Sequence, residues 1–585
     1  MENEAVAEIL AEIGVLLEIK GENPFKIRAY VNAARAIENV IEPLEFIIRD
    51  NRLGEIKGLG SALQEKVTTL VTEGSLPYHE ELKASLPAGL IDMLAIPGMG
   101  PKKVKAVYEQ LKLETVEDLE AACQDGSLEK LSGFGAKTVQ RVLEGIAFHR
   151  NFGDRHRLDV VYHLANEILE GLGRHPNVLR CDIAGSLRRW KETVGDLDFV
   201  VASRHGGPVL DWFVAQPNVI SVLAKGDTKA SVNLEGGIQA DLRVVSDAEF
   251  PFALAYFTGS KEHNIGMRQR AIERGLRLNE YGLFRSKTET RDPELRVPCK
   301  TEFDIFQALD LQYIPPELRE DRGEFEAAEK IALPSLVEWT NMKGSLHNHS
   351  DWSDGKQTLE EVAAAACGLG FSYWAITDHS KSSFVANGLD EKRLLKQFVA
   401  IEEVNQRYEE AGTRFRLLTG SEVDILSGGR LDFPDEFLAQ LEIVVASIHQ
   451  GFAGSEEEMT KRLIQAAENK YVHILGHITG RLLLERDSYK INQRAVIDAC
   501  AATGTWIELN ASPYRMDMDW RLWHYAKDKG VKCVINTDAH RFEHCSYLRL
   551  GVGVARKGWL TRHDVVNTLT LRQLRKALDW KRSKL

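Results

Sequence analysis

The chain has 585 residues, 44% of them hydrophobic and 27% charged, with a formal net charge of −12. That length suits several domains of roughly 100–200 residues each, and no apolar run approaches the ~20 residues of a membrane span. The seven cysteines are scattered without a CxxC pair, which argues against a disulfide framework and a zinc finger and for a reducing compartment.

The acidic balance does not advertise a nucleic-acid binder, yet it leaves local basic patches open. The start, "MENEAVAEIL", lacks the basic-then-apolar pattern of a signal peptide, so a cytoplasmic location is expected. The first ~150 residues read as short amphipathic helices broken by glycines. Three breaks resemble one another: "EIKGLGSALQEKV" (Gly58, Gly60), "AIPGMGPKKVKAV" (Gly98, Gly100) and "KLSGFGAKTVQRV" (Gly133, Gly135). The paired glycines permit a tight turn that leaves backbone N–H groups free at a helix N-terminus, a cradle for phosphate. Lys102, Lys103 and Lys137 add charge there. One copy would merely end a helix. Three copies, 40 and 35 residues apart, make the helix-hairpin-helix pattern, a sequence-independent grip on a DNA backbone.

From about 151 to 250 helices alternate with β-branched strands. In "AGSLRRWKETVGDLDFV", Asp196 and Asp198 are two apart on a strand and so share a face. "QADLRVV" offers Asp241, again heading a β-branched run. Three carboxylates on neighbouring strands suit a pair of Mg²⁺ ions, which can clamp the attacking and leaving oxygens of a phosphoryl transfer. Upstream, Gly185-Ser186 with Arg188 and Arg189 supplies a turn, a hydroxyl and guanidinium groups suited to a triphosphate. A more irregular stretch follows, and "YIPPELREDRGEFEAAEK" reads as a domain exit with a linker over 321–340.

From about 341 the rhythm is strand then helix. The apolar runs "KGSLHNHS", "YWAITDHS", "RLLTGSEVDI", "EIVVASIHQ", "VHILGHIT", "TWIELNAS" and "KCVINTDAH" point to a parallel α/β barrel. His347 and His349 close the first run with their rings expected on one side, and Asp354 follows on a loop. His379, Glu422, His449, His477, Asp538 and His540 then fall at the ends of later runs. The exception is "TWIELNAS", with only Glu508 and Asn510. Such strand ends converge on the face where barrels place their chemistry. Six imidazoles and three carboxylates exceed the needs of one ion and fit two or three Mn²⁺ or Zn²⁺.

"GSLRR…VGDLD…ADLR…YFTGSKEHN" resembles the nucleotidyltransferase core of family X DNA polymerases, from near residue 5 to about 325, and the barrel resembles the PHP domain, a distorted (βα)7 fold with a trinuclear metal site. The resemblance implies a multidomain chain. It begins with an all-α 5′-phosphate-binding-like domain over 1–85 and a helix-hairpin-helix subdomain over 86–150. An α+β nucleotidyltransferase palm over 151–250, a nucleotide- and base-pair-binding subdomain over 251–320 and the PHP domain over 341–585 follow. In the palm it implies Mg²⁺ or Mn²⁺ on Asp196 and Asp198, with Asp241 on the catalytic metal and deprotonating the primer 3′-hydroxyl. Ser186, Arg189 and Gly195 match triphosphate-holding positions, and Tyr256, Phe257 and Gly259 the segment against the sugar. Asn264 matches a residue at the base edge, and Arg243 an arginine that switches partners around the third aspartate. Lys261 departs from the eukaryotic beta-type enzyme, which has an aspartate there; the bacterial pattern implies tighter nucleotide binding. Lys66 falls where that enzyme has its Schiff-base lysine, with its basic partners only partly matched.

All nine barrel positions match the PHP metal ligands, which implies an active phosphoesterase, with Arg481 either touching the scissile phosphate or an ordinary surface arginine. The expected function is short-gap DNA synthesis on gapped or nicked DNA with dNTPs, by a monomer. A 3′→5′ exonuclease accompanies it, with 3′-phosphatase or abasic-site endonuclease activity as further expectations. A histidinol-phosphatase-like small-molecule phosphatase, a non-catalytic DNA-binding scaffold and a template-independent RNA nucleotidyltransferase are the alternatives.

Overall fold

The computed structural model describes residues 1–585 apart from Glu2, Asn39, residues 41–43, Lys57, Ala95, Pro97, Gly98, Gly153, Asp154, Lys287, Glu289 and Leu585. Gly98, of the second glycine pair, therefore lies outside the described residues. The chain divides into two compact units, Met1–Gly153 and Asp154–Leu585.

The first unit is helical and has two cores. Val6, Leu10, Ile13 and Leu17, at helical spacing, pack with Tyr30, Val67 and Leu70 in one. Met93, Val104, Val107, Leu119, Phe134 and Val142 form the other. Helices α1 (Ser61–Glu73), α2 (Pro101–Leu111) and α3 (Ala136–Phe152) each begin one residue after the second glycine of a pair.

The second unit opens with a five-stranded sheet of β1 (Val178–Ile183), β2 (Asp196–Ser203), β3 (Val219–Lys225), β4 (Lys229–Leu234) and β5 (Gln239–Val245). Its order is β1-β2-β5-β4-β3, and β2 and β5 run parallel in its middle. A short helix, α4 (Gly185–Arg188), follows β1, and α5 (Phe250–Thr258) and α6 (Lys261–Glu273) follow β5. Buried Glu302 binds two arginines, Arg188 at 2.7 Å and Arg319 at 2.6 Å, and so ties α4 to the segment after α6.

The barrel consists of β6 (Gly344–Ser345), β7 (Tyr373–Ile376), β8 (Arg416–Asp424), β9 (Ile443–Ser447), β10 (Ile474–Leu475), β11 (Trp506–Asn510) and β12 (Cys533–Asn536). All are parallel and adjacent in sequence order. A bridge from Asn348 to Ala539 nearly closes the ring. Side chains alternate between two apolar layers. Tyr373, Ala375, Ile443 and Val445 fill the interior with Trp506 and Val534, plugged by Leu574 and Leu578 of the last helix. Trp374, Ile376, Val444 and Ala446 face the surrounding helices, in a cluster continuous with the palm core around Phe199 and Phe213. Burial on both faces explains why these strands read as unbroken apolar runs. Helix α7 (Tyr547–Lys557), late in the barrel, packs against the Pro316–Leu318 turn next to the palm.

Candidate active sites and nucleic-acid grip

The three glycine turns share one hydrogen-bond plan. Leu59 N donates to Ile56 O at 3.1 Å, Met99 N to Ile96 O at 2.9 Å and Phe134 N to Leu131 O at 3.1 Å. Leu59, Met99 and Phe134 are buried, which pins each turn to its core. The second glycine's carbonyl then accepts the first helical bond, from Gln64, Val104 or Val139. A Cβ added to Gly58, Gly60, Gly100, Gly133 or Gly135 would meet nothing within 4 Å, so these five glycines leave their backbone open beside a helix N-terminus. Lys102 and Lys137 are exposed on the first turns of α2 and α3. Lys66 lies with its ammonium 4.0 Å from the centroid of the Tyr78 ring, which Lys26 also approaches, at 5.6 Å.

In the palm, Asp198 on β2 stands in register with Asp241 on β5, and Asp196 with Gln239. Burial and the neighbouring carboxylates of Asp196 and Asp241 push Asp198 up to about 7. Burial and Asp241 also raise Asp196. Asp241 moves the other way: burial opposes its charge, but Lys229 at 2.6 Å, Ser231 and Gln239 hold it below the usual range. Lys229 carries no sequence signal of this role. It is a local stand-in cation for a set of oxygen donors that repel one another without one, and the donors fit a hard divalent ion. Among the described residues the donor groups gathered within 4.8 Å all lie in the barrel, so the palm carboxylates are the looser set.

The turn behind Asp198 is close. Gly185 has φ +62°, and a Cβ there would fall 2.2 Å from Asp198 Oδ2. Ser186 follows on α4, and its carbonyl accepts from Lys191 N at 3.1 Å. Gly195 leads directly into β2. Arg189 is held by Glu320, 3.0 Å from its Nε, and donates from Nη1 to Thr258 O beside Gly259. Tyr256 and Phe257 stand edge to face, and Arg243 lies 4.9 Å over the Phe257 ring. Asn264 donates to Tyr256 O at 2.7 Å, and Lys261 is exposed at the start of α6.

In the barrel, Glu422 is the hub. Its Oε2 lies 3.3 Å from His347 Nε2, 3.7 Å from His349 Nε2 and 3.0 Å from His379 Nδ1. Its Oε1 lies 3.3 Å from His449 Nε2 and 3.0 Å from His477 Nε2. Asp538 meets His349 at 3.1 Å, and Asp354 meets His540 at 3.4 Å and His379 at 3.6 Å. All nine expected side chains thus reach one site. Three overlapping groups have ligand spacing: His349, Asp354, His379 and His540; His347, His349 and Glu422; His379, Glu422 and His449. His347 Nε2, His349 Nδ1, His379 Nδ1, His477 Nδ1 and Glu422 Oε2 are buried and find no hydrogen-bond partner among the described residues. Such orphaned atoms are costly unless they serve as ligands, so the donor set fits a cluster of transition metals.

His347 and His349 are not on a strand. β6 ends at Ser345, and the rings converge because the chain beyond it is bonded on both sides, Asn348 N to Thr377 Oγ1 and His349 N to Ala539 O. "TWIELNAS" is not an exception of no account either. Glu508 Oε1 lies 2.7 Å from His347 Nδ1, and its Oε2 accepts from His477 N at 2.8 Å, which sets the tautomer that turns His347 Nε2 inward. Asp424 holds His449 Nδ1 in the same way. Only a carboxylate in the middle of a mainly apolar strand, Glu508 of β11, hinted at this.

Arg481 is a correction. Its guanidinium is spent on Arg515 O, Met516 O and Asp519, and it does not line the cavity. Arg515 does. It sits on the loop that Arg481 braces, 3.6 Å from Asp538, in a cavity of about 400 Å³ that also includes Phe384 and Val385 at its lip.

Four family models match: helix-hairpin-helix domain at residues 1–76, SAM-like helix-hairpin-helix tandem at 90–147, DNA polymerase beta thumb at 253–320 and PHP domain at 345–512. The DNA polymerase/3′-5′ exonuclease PolX of Bacillus subtilis (strain 168) is 38% identical over 577 residues, 98% of this chain and 99% of that protein. The chain belongs to the PHP-bearing family X DNA polymerases. Family X likeness extends to DNA polymerase lambda of Rattus norvegicus, 25% identical over 341 residues, 54% of this chain and 56% of that one. A crystal structure of Leishmania infantum polymerase beta in a ternary P/T complex aligns over 40% of this chain and 99% of its own, at 25% identity and a TM-score of 0.27. Family X polymerases and PHP domains are metal-dependent, and the donor clusters here accord with that. Among the described residues, no helix is long and apolar enough to cross a membrane.

Proposed function

We propose that this family X chain fills short gaps in DNA and trims 3′ ends with its barrel. The observation that carries the reading is one chain holding two in-register palm aspartates, Asp198 and Asp241, and a barrel rim in which five donor atoms are orphaned, along a full-length match to a polymerase/exonuclease.

In the palm, Asp196 and Asp198 would hold Mg²⁺ or Mn²⁺, and Asp241 would share one ion. Bound ions there would neutralise charge on the triphosphate and the attacking oxygen. Asp241, kept ionised by Lys229, takes the primer 3′-hydroxyl proton. Ser186, Arg189 and Gly195 bind the triphosphate of a dNTP. Tyr256, Phe257 and Gly259 pack against its sugar, and Asn264 and Lys261 border the base. The open glycine turns grip gapped or nicked DNA through phosphates, with Lys102 adding charge. Lys66, beside Lys26 and Tyr78, is the candidate lyase nucleophile.

In the barrel, His347, His349, Asp354, His379, Glu422, His449, His477, Asp538 and His540 would hold two or three Mn²⁺ or Zn²⁺. Such a cluster supplies an activated water and charge neutralisation for hydrolysis of a phosphoester. Glu508 and Asp424 orient the ligand imidazoles, and Arg515 holds the scissile phosphate. The chain acts in the cytoplasm as a monomer, with 3′-phosphatase and abasic-site cleavage as further uses of the same site.

The test uses one-nucleotide-gapped duplex with Mg²⁺ or Mn²⁺. Asp198→Ala should abolish dNTP addition and leave 3′ degradation intact, and His349→Ala should do the reverse. If each change abolishes both activities, the two-site reading is wrong.

A further inference from the structure

The loop that follows α4 is built against the barrel. Lys557, the last residue of α7, is buried, and its Nζ lies 2.5 Å from Glu320 Oε1 and donates to Arg189 O at 3.0 Å and to Glu317 O at 3.4 Å. Glu320 in turn receives Arg189 Nε at 3.0 Å and Lys191 Nζ at 3.1 Å. Three cations thus share one carboxylate, directly behind the turn that carries Ser186 and Arg189. More barrel groups brace the same loop: Trp520 Nε1 donates to Glu192 at 3.0 Å and Arg521 meets Glu192 at 3.1 Å. Gly553 of α7 leaves room for Trp190, whose ring a Cβ there would overlap at 2.1 Å.

We propose that Lys557, a barrel residue, is a positioning residue for nucleotide addition: through Glu320 and the Arg189 carbonyl it sets the pose of the Arg189 guanidinium against the incoming triphosphate. This rests on the polymerase reading of the palm. Arg189 is constrained at both ends, by Lys557 at its carbonyl and by Glu320 at its Nε. Glu320 can do this only while its charge is balanced. Burial opposes the carboxylate, but Lys557, Arg189 and Lys191 hold it at about 2. The dependence is mutual, since burial pushes Lys557 down to about 7 against the pull of Glu320. With Lys557 neutralised, Glu320 is left to Arg189 and Lys191 alone. It then draws the guanidinium away from the triphosphate, and the loop carbonyl loses its donor. Among the described residues no hydrogen bond or ion pair joins the nine barrel donors to this group, so the two activities respond differently.

The experiment is dNTP titration on a one-nucleotide gap with the full chain, paired with 3′ resection by the same preparation. Lys557→Met should raise KM for dNTP about tenfold, the loss of one charge-assisted hydrogen bond, with a far smaller change in kcat. Resection should stay within about twofold of wild type, since substitutions at distant sites with no shared partners act independently. Glu320→Gln should raise KM in the same sense, the double variant should be no worse than the single ones, and Lys557→Arg should recover part of the loss. An unchanged KM in both Lys557→Met and Glu320→Gln overturns the proposal, and so does a fall of addition and resection in equal proportion. A wild-type chain that adds no nucleotide overturns the polymerase reading and this inference with it. A wild type that adds while Lys557→Met keeps its KM sinks the inference alone.

Discussion

Replacing Gly185 with alanine probes the palm most sharply. Gly185 has φ +62°, and the new Cβ would lie 2.2 Å from Asp198 Oδ2 and 3.2 Å from its Cγ. Left-handed backbone costs an alanine about 1–2 kcal/mol, which a domain with a stability of roughly 5–15 kcal/mol survives. The carboxylate has less tolerance. To restore an ordinary contact it must retreat by about 1 Å, and misplacement on that scale costs on the order of 100-fold in rate. Gly185→Ala should therefore cut single-nucleotide addition on gapped duplex about 100-fold while 3′ resection by the same preparation is preserved. Both are read on one gel from the same labelled primer. Addition near the wild-type rate would refute the argument, because it would mean that Asp198 need not occupy the place the structure gives it. Loss of both activities would point to unfolding instead.

Three further outcomes follow from side-chain geometry. Glu508→Gln removes the carboxylate on His347 Nδ1, and the bound metal per chain, read by elemental analysis, should fall about 10-fold in apparent affinity with nucleotide addition unchanged; full metal content would count against its orienting role. Arg515→Ala should weaken 3′-end binding in the resection assay by about 10- to 100-fold, the worth of one charged hydrogen bond, without metal loss, and a normal KM for DNA would remove Arg515 from the site. Glu302, held down to about 2 from an ordinary 4.5 by Arg319 and Arg188 despite its burial, has the depressed sign. Its contribution, roughly 3 kcal/mol, is full above pH 4.5 and is lost as pH falls toward 2, so the urea-stability gap between wild type and Glu302→Gln should shrink between pH 7 and pH 3; a constant gap would contradict it.

The barrel is legible in the sequence because a parallel strand buried on both faces writes itself as an apolar run, and the residue after that run lands on one rim. That rule is enough to put His449 and Asp538 at the rim, whereas Glu422 lies within β8, two residues before its end. It says little of His347 and His349, whose placement depends on hydrogen bonds to Thr377 and Ala539 beyond a two-residue strand. It fails for Arg481, since an arginine beside a ligand histidine can as easily brace a neighbouring loop as reach into the cavity.

By itself, then, the sequence determined which candidate groups are on offer: three paired-glycine breaks ahead of helices, aspartates two apart on a strand, and imidazoles that follow apolar runs. These are short-range patterns, set by backbone period and by residues a few positions apart. Only the tertiary structure decided which groups answer one another. Glu508 reaches His347 across 161 residues, Lys229 crosses from β4 to Asp241 on β5, and Lys557 closes on Glu320 from 237 residues away. No local period encodes such pairs, because the partners meet only after the sheet and the barrel have packed.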